Sequence, residues 1–378
     1  MTTPNVPPAP ATGGRLTSLD ALRGFIMLWI MGGDSIGHAL TKMEPTGLVG
    51  LLSTQLNHVD WEGFRFYDLI FPTFVFIIGI SIVYSLARTV EREGRGAAVQ
   101  RVLRRTVLLY GLGILYYGGW DQGWGHVRLL GVLQRLALCY GAAALLFLFF
   151  RPRGLVFWCA GLLLGYWALM ALVPVPEFGT GNYAEGKNLA NWIDAQYLPL
   201  RKWDGDHDPE GLLSTLPAIA SCLLGVFAGL LMRDPRSTPN RKTLILVGAG
   251  IASIALGWVW SLQFPVIKKI WTSSYVLVAG GWSALLLAWF YWVIDVRGWA
   301  LWARPMVWIG LNPILIYMLG SFLPFDEAAA RVLGGPVEAF LNESVTAGLG
   351  EVAISVGGIL LAIGICWFLD RRKIYVRV

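Results

Sequence analysis

Charge is scarce in this sequence. Of its 378 residues only 14% are Asp, Glu, Lys or Arg, while 56% are hydrophobic. Soluble globular chains carry roughly 25% charged residues. With a mean hydropathy of +0.58, this shortage excludes a soluble enzyme, a disordered chain and a DNA-binding domain. The alternating segments of ~10 residues that build a membrane β-barrel are missing too. Cysteine is limited to Cys139, Cys159, Cys222 and Cys366, all inside apolar stretches. They form no CxxC pair and read as small core hydrophobes rather than disulfides. The four histidines show no HxH or HxxxH spacing, so no metal site is expected. The N-terminus lacks the basic and apolar regions of a cleavable leader. Residues 1–14 are Pro-rich and read as a disordered tail.

What the chain has is apolar blocks of about 20 residues, the length that crosses a bilayer core. The expected fold is an all-α polytopic membrane bundle of about ten helices, at 20–40, 66–87, 106–119, 129–150, 154–174, 211–232, 243–263, 273–294, 304–322 and 350–369. Residues 15–378 read as one membrane domain with outer loops 41–65, 175–210 and 323–348. The net charge of +6 is unevenly spread. With the N-terminus inside, inner segments hold 19 Lys and Arg and outer ones nine. The positive-inside rule then places both termini in the cytoplasm. Thr17 to Asp20 has the pattern of a capping box opening the first helix. The loop 175–210 is expected to be an ordered lid, with helical character over 188–199.

Polar groups in this apolar background mark candidate chemistry. Asp34 falls within the first span, where an acid needs a cavity or a partner. His38, His58, His126 and His207 all fall on the outer side. His58 stands out because Asn57, Asp60, Trp61 and Glu62 surround it and Asp68 follows ten residues later; an imidazole titrates near neutrality and suits acid–base work. Arg128 lies at an outer mouth, with Gln134 and Arg135 inside a helix. A buried Arg135 requires an anion: Asp20, Asp34, Asp68 or a ligand phosphate. His207 to Gly211 are expected to open the sixth span, with Asp208 and Glu210 favoured by its dipole and able to grip a hydroxyl or an amine. Asn312-Pro313 should kink the ninth span beside a cavity. A transporter or flippase for an amino sugar or lipid-linked sugar would also use buried charges and kinked helices.

Eight blocks in order carry a resemblance: R-L-T-S-L-D-A-L-R-G (15–24), H-V-D-W-E-G-F-R-F-Y-D-L-I-F-P-T-F-V-F-I-I-G (58–79), V-R-L-L-G-V-L-Q-R-L (127–136), D-P-E-G-L-L-S-T (208–215), W-T-S-S-Y-V (271–276), D-V-R-G (295–298), N-P-I-L-I-Y (312–317) and R-R-K-I-Y (371–375). Together they resemble the heparan-α-glucosaminide N-acetyltransferase family in its bacterial form. The resemblance implies transfer of an acetyl group from cytoplasmic acetyl-CoA to an amino sugar, glucosamine or a glucosamine-containing oligosaccharide, on the outer side of an inner membrane. It implies acetyl-CoA, an amino-sugar acceptor and membrane lipids as partners, a homodimer, and neither metal nor nucleic acid. The family's active histidine falls on His58, facing the periplasm, and its helix-embedded Asn on Asp34, so an amide has become an acid. The donor is expected to be held by Arg23, Asp68, Arg128, Gln134, Arg135, Ser274 and Asn312, and the acceptor by Asn57, Trp61, Asp208 and Glu210. The oxyanion of an acyl transfer needs a donor, for which Asn57, Gln134 or a backbone N–H are candidates. Gly320 stands where the lysosomal form has a histidine.

Overall fold

The computed structural model describes residues 16–43, 46–117 and 123–376. The expected N-terminal tail, 1–14, lies outside the described residues. The described residues of the chain form helices joined by turns and loops. In order it forms α1 (Thr17–Thr41), α2 (Gly47–Leu56), α3 (Ile70–Tyr116), α4 (Val132–Phe149), α5 (Pro152–Leu172), α6 (Leu189–Tyr197), α7 (Thr215–Arg233), α8 (Pro239–Trp260), α9 (Ser273–Phe290), α10 (Arg304–Leu311), α11 (Pro313–Phe322), α12 (Phe325–Leu333), α13 (Pro336–Ser344) and α14 (Leu349–Arg371). Extended pairing among the described residues is limited to the isolated bridges Glu62–Ile267 and Val175–Gly179.

Every expected apolar segment falls on helix, but the segmentation differs. Among the described residues seven helices are long and apolar enough to cross a membrane, or eight if the bent pair α10–α11 counts as one span. The first expected span is α1, which carries Asp20, Arg23 and Asp34 and is not among the seven. The second and third expected spans belong to α3, with no loop between them. At ~1.5 Å per residue its 47 residues are too long for one crossing of ~30 Å. The break is Gly94, whose φ of +87° and ψ of 173° are non-helical. The arginines from Arg88 to Arg105, expected in a loop, therefore stand on helix on both sides of that break.

Two expected helix starts are corrected. Leu16, not Thr17, precedes the first turn of α1, and no side chain of that residue caps it. The Ser18 N–H is taken by Asp295 Oδ2 at 3.2 Å, and Asp20 instead pairs with Arg23 at 3.1 Å. The sixth span, α7, begins at Thr215, so His207 to Gly211 form a turn ahead of it rather than its first residues. The expected kink at Asn312 is present: α10 and α11 meet there at 79°.

Packing follows from where backbones can approach. α3 packs on α4 and α7, α8 on α9, and α1 on α10 and α14. Leu22, Ile26, Ile77, Ile80, Leu223 and Val278 make up the centre of the core. Leu164, Leu244 and Leu360 on α5, α8 and α14 point outwards, as apolar side chains do when the solvent is lipid. The four cysteines are buried free thiols. The lid 175–210 is ordered around α6, close to the expected 188–199. Asn188 caps α6 by accepting the Asn191 N–H at 3.0 Å.

Candidate active site

His58 owes its place to a tight contact between two helices. A side chain at Gly37 of α1 would put its Cβ 2.5 Å from the Leu56 carbonyl oxygen at the end of α2. Asn57 fastens the same joint: its Nδ2 donates to Gly37 O at 3.2 Å and to Ser53 O at 2.7 Å. The next residue, His58, is thereby held against α1. Its Nδ1 lies 2.7 Å from Asp68 Oδ1. The other carboxylate oxygen of Asp68 accepts backbone N–H groups of Arg65 at 3.1 Å and Val59 at 3.4 Å. The Tyr275 hydroxyl donates to the Asp68 carbonyl at 2.8 Å. Asp68 is almost fully buried, so this carboxylate has one orientation. An Nδ1–H committed to a carboxylate leaves the lone pair of His58 on Nε2.

The other side of the imidazole is closed by a residue distant in sequence. The bridge Glu62–Ile267, with Gly63 N donating to Val266 O at 2.9 Å, lays the loop after α8 along the histidine loop. Lys268 Nζ consequently lies 3.0 Å from His58 Nε2, 2.9 Å from Nδ1 and 3.7 Å from Asp68 Oδ1. Burial lowers the pKa of His58 below its ordinary 6.5, the Asp68 hydrogen bond opposes this, and the Lys268 charge adds to it. Burial also lowers the pKa of Lys268, while Asp68 and Glu210 push it back up. Tyr67 packs on the imidazole with ring centroids 4.6 Å apart.

Opposite His58 stands the lid. Arg128 donates from Nε to Asp208 Oδ2 at 2.8 Å and from Nη2 to Asp208 Oδ1 at 2.6 Å, and its Nη2 also reaches Glu210. The rings of Tyr117 and Trp203 flank its guanidinium at 4.7 and 5.1 Å. Burial alone would lower the Arg128 pKa; Asp208 and Glu210 more than reverse that and lock the charge on. Glu210 is pushed up by burial, against the pull of Arg128. Lys269 ties the lid down through Glu185 at 2.7 Å and Asp204 at 3.1 Å. Trp61 Nε1 adds a bond to Tyr183 O at 2.9 Å. Glu185, Asp204 and His207 place ligand atoms within 4.8 Å of one another, and the cation between their carboxylates is the Lys269 ammonium.

Between histidine and lid is a cavity of ≈ 550 Å³ lined by Asp34, His58, Trp61, Tyr67, Tyr116, Tyr117, Arg128, Trp203, Glu210, Lys268, Lys269 and Tyr317. Tyr116 and Tyr317 stack with centroids 4.5 Å apart. A narrow apolar pocket of ≈ 20 Å³ shares Ile30, Phe71, Val132 and Tyr317 with it and reaches Pro313 at the bend. A third, of ≈ 200 Å³, shares Ile30, Tyr116 and Tyr317 and ends at Gly320 and Asp326.

The residues singled out in the sequence therefore divide. His58, Asp34, Trp61, Arg128 and Glu210 line one cavity, and Asp68 and Asp208 stand directly behind its wall. The others have protein partners elsewhere. Arg23 bonds Asp20, Ser81 and Gly310 O. Gln134 Nε2 donates to Arg128 O at 3.0 Å. Ser274 donates to Pro265 O at 3.0 Å. Asn312 fastens the C-terminal segment through Ile374 O and Val376 N. Arg135 is wholly buried; its Nη2 meets Gly211 O and Ser214, and its guanidinium lies 5.0 Å from the Trp271 ring centre rather than against one of the expected carboxylates. Lys268 and the Tyr116–Tyr317 stack are the parts that reading the sequence missed.

The sequence pattern described as "Heparan-alpha-glucosaminide N-acetyltransferase, catalytic" matches residues 15–253. Two curated relatives are the heparan-alpha-glucosaminide N-acetyltransferases of Homo sapiens and Mus musculus. Each is 29% identical, over 82% and 84% of this chain and 54% and 55% of theirs. The chain spans about half the length of the curated relatives it matches.

Proposed function

From the premise that the chain belongs to the heparan-alpha-glucosaminide N-acetyltransferase family, we propose that it transfers the acetyl group of acetyl-CoA to the amine of an amino sugar, glucosamine or a glucosamine-containing oligosaccharide, across an inner membrane. The observation that carries this is His58: its Nδ1 is bonded to a buried carboxylate, and its side chain lines a cavity large enough for a sugar.

An amino sugar arrives as an ammonium ion, and the Asp34 and Glu210 carboxylates on the cavity wall attract it. Only the neutral amine attacks, so the ammonium first gives one proton to solvent. Its nitrogen forms the C–N bond to the thioester carbon while the carbonyl π pair moves onto oxygen. His58 Nε2 takes the second proton, and Asp68 holds the imidazolium that results. The pair on oxygen then re-forms C=O, the C–S bond breaks, and the thiolate leaves with the proton from Nε2. The aromatic walls of Trp61, Trp203, Tyr116 and Tyr317 suit the apolar faces of a sugar ring and of a pantetheine arm.

The arginine-rich segments, Arg88 to Arg105 foremost, suit the phosphates of the nucleotide half. The excess of 19 over nine basic residues favours a cytoplasmic location for them and a periplasmic one for His58. The apolar neck leading towards Pro313 has room for about one water, so the thin, uncharged arm would have to part these helices to pass between the two. Asn57 spends both amide N–H groups on backbone carbonyls, Gln134 gives one to Arg128 O, and neither side chain is on the cavity wall that His58 shares, which argues against either as the oxyanion donor.

The test is release of free CoA by the purified full chain in detergent, given acetyl-CoA and a panel of free and oligomeric amino sugars. Turnover is expected with at least one of them. The His58→Ala protein is expected to lose turnover and to retain stabilisation by acetyl-CoA in a melting assay. Normal turnover in that variant removes His58 from the reaction, and no turnover or acetyl-CoA stabilisation of the wild-type chain removes the acetyltransferase reading.

A further inference from the structure

We infer that Lys268 is a catalytic residue of this site, the charged donor that receives the carbonyl oxygen of the acyl group as it becomes an oxyanion. The inference rests on the acetyltransferase reading and assigns a role that reading leaves vacant.

Three observations converge on Lys268. First, the oxyanion requires a donor about 2.7–3.1 Å from the position the oxygen will take, and the candidate side-chain amides, Asn57 and Gln134, do not line the cavity while Lys268 does. Second, Lys268 is held where such a donor must stand. A base takes the acceptor's proton from about 2.6–3.2 Å, so the attacking nitrogen lies next to Nε2. The carbonyl oxygen is two bonds from that nitrogen once the C–N bond forms. Lys268 Nζ, itself 3.0 Å from Nε2, is a charged N–H donor within reach of that oxygen. An ammonium has three N–H groups, so it can release Nε2 and keep its approach to Asp68 Oδ1 at 3.7 Å. Third, the placement is built into the fold: the Glu62–Ile267 bridge and the Gly63 N to Val266 O bond fix the backbone immediately before Lys268.

The same charge acts on the base. The groups facing the His58 imidazole are Asp68, Tyr67, Lys268 and, from α1, Asp34. Lys268 is the cation against the ring, and Arg65 is a second cation beside the residue, its Nη1 donating to the His58 carbonyl oxygen at 2.8 Å. The Lys268 charge opposes protonation of His58 and leaves Nε2 able to accept a proton.

The experiment compares wild type, Lys268→Met and Lys268→Arg, each as the full chain in detergent, with acetyl-CoA and glucosamine or whichever amino sugar the wild type accepts. Lys268→Met is expected to lose kcat by on the order of 10²–10³-fold, with KM for the amine changed less than threefold. Lys268→Arg is expected to recover at least tenfold of that loss. The pKa of the His58 imidazole, followed by NMR with labelled histidine, is expected to rise in Lys268→Met. Melting temperatures identify a variant that fails to fold; for such a variant Lys268→Arg and the wild-type acetylation state decide. Unchanged kcat in Lys268→Met overturns the inference and leaves the acetyltransferase reading standing. Acetylated Lys268, found by mass spectrometry after incubation with acetyl-CoA alone, also overturns it, because the amine would then be an acceptor. If the wild type transfers nothing, the acetyltransferase reading fails, and the role given to Lys268 falls with it.

Discussion

Arg128 holds Asp208 in a two-point grip, Nε to Oδ2 at 2.8 Å and Nη2 to Oδ1 at 2.6 Å, with both side chains buried. The grip joins the segment before α4 to the lid and forms one wall of the cavity. Removing the cation strands two carboxylates, Asp208 and Glu210, in a dry setting. Arg128→Ala is expected to cost about 3–5 kcal/mol of stability. Arg128→Lys should cost less but still destabilise, since an ammonium lacks the planar fork. Thermal or denaturant unfolding in detergent measures both, and a loss below 1 kcal/mol in the alanine variant would show that the pair contributes little.

Asp68 orients the base rather than touching substrate. Asp68→Asn keeps the shape and removes the charge that stabilises an imidazolium. We expect kcat to fall by on the order of 10²–10⁴-fold, with acetyl-CoA stabilisation of the protein retained. Steady-state kinetics and melting shifts separate the two effects, and kcat within threefold of wild type would contradict the assignment.

The pH dependence has a definite sign. His58 accepts a proton only when neutral, so activity falls as pH drops through its pKa. Burial and the Lys268 charge place that pKa below 6.5. Once corrected for ionisation of the free amine, the acidic limb of kcat/KM is therefore expected to have its midpoint below 6.5. A midpoint at or above 7 would mean that another group, or an unburied imidazole, controls the limb.

Asp34 lines the cavity with a largely exposed carboxylate. If it attracts the acceptor ammonium, Asp34→Asn should raise KM for the amine by about two- to fivefold, the effect of a solvent-exposed charge pair of ~0.5–1 kcal/mol. It should leave kcat within about twofold. A larger loss in kcat than in KM would assign Asp34 to the chemical step instead.

Gly37 tests the scaffold. A valine there would strike the Leu56 carbonyl and push α2, with His58 behind it, away from α1. Gly37→Val is expected to abolish turnover while the bundle still binds acetyl-CoA, both read by the assays above. Full activity in that variant would show that the α1–α2 contact does not position the histidine.

The sequence made the helices legible because lipid demands long apolar runs, and the site half legible because polar residues stand out among them. His58 and Asp68, ten residues apart, were visible as neighbours; the capping contacts of Asp68 with Arg65 and Val59 are local too. Lys268 was not, because its contact with His58 spans 210 residues and depends on an isolated bridge with no periodic signature. A helix-dipole account suffices for Asp208 and Glu210, which hides their pairing with Arg128 eighty residues away. Gly94 shows another limit: hydropathy marks where apolar residues stop, whereas the chain continues as charged helix past that point.

The Glu62–Ile267 bridge has a consequence for how the chain can be divided. The family pattern ends at residue 253, yet Lys268, Trp271 and the Tyr275 hydroxyl that fastens Asp68 all come later. A fragment cut near that boundary would keep the histidine and its carboxylate but lose their clamp. Two co-expressed halves should therefore complement each other, with neither competent alone.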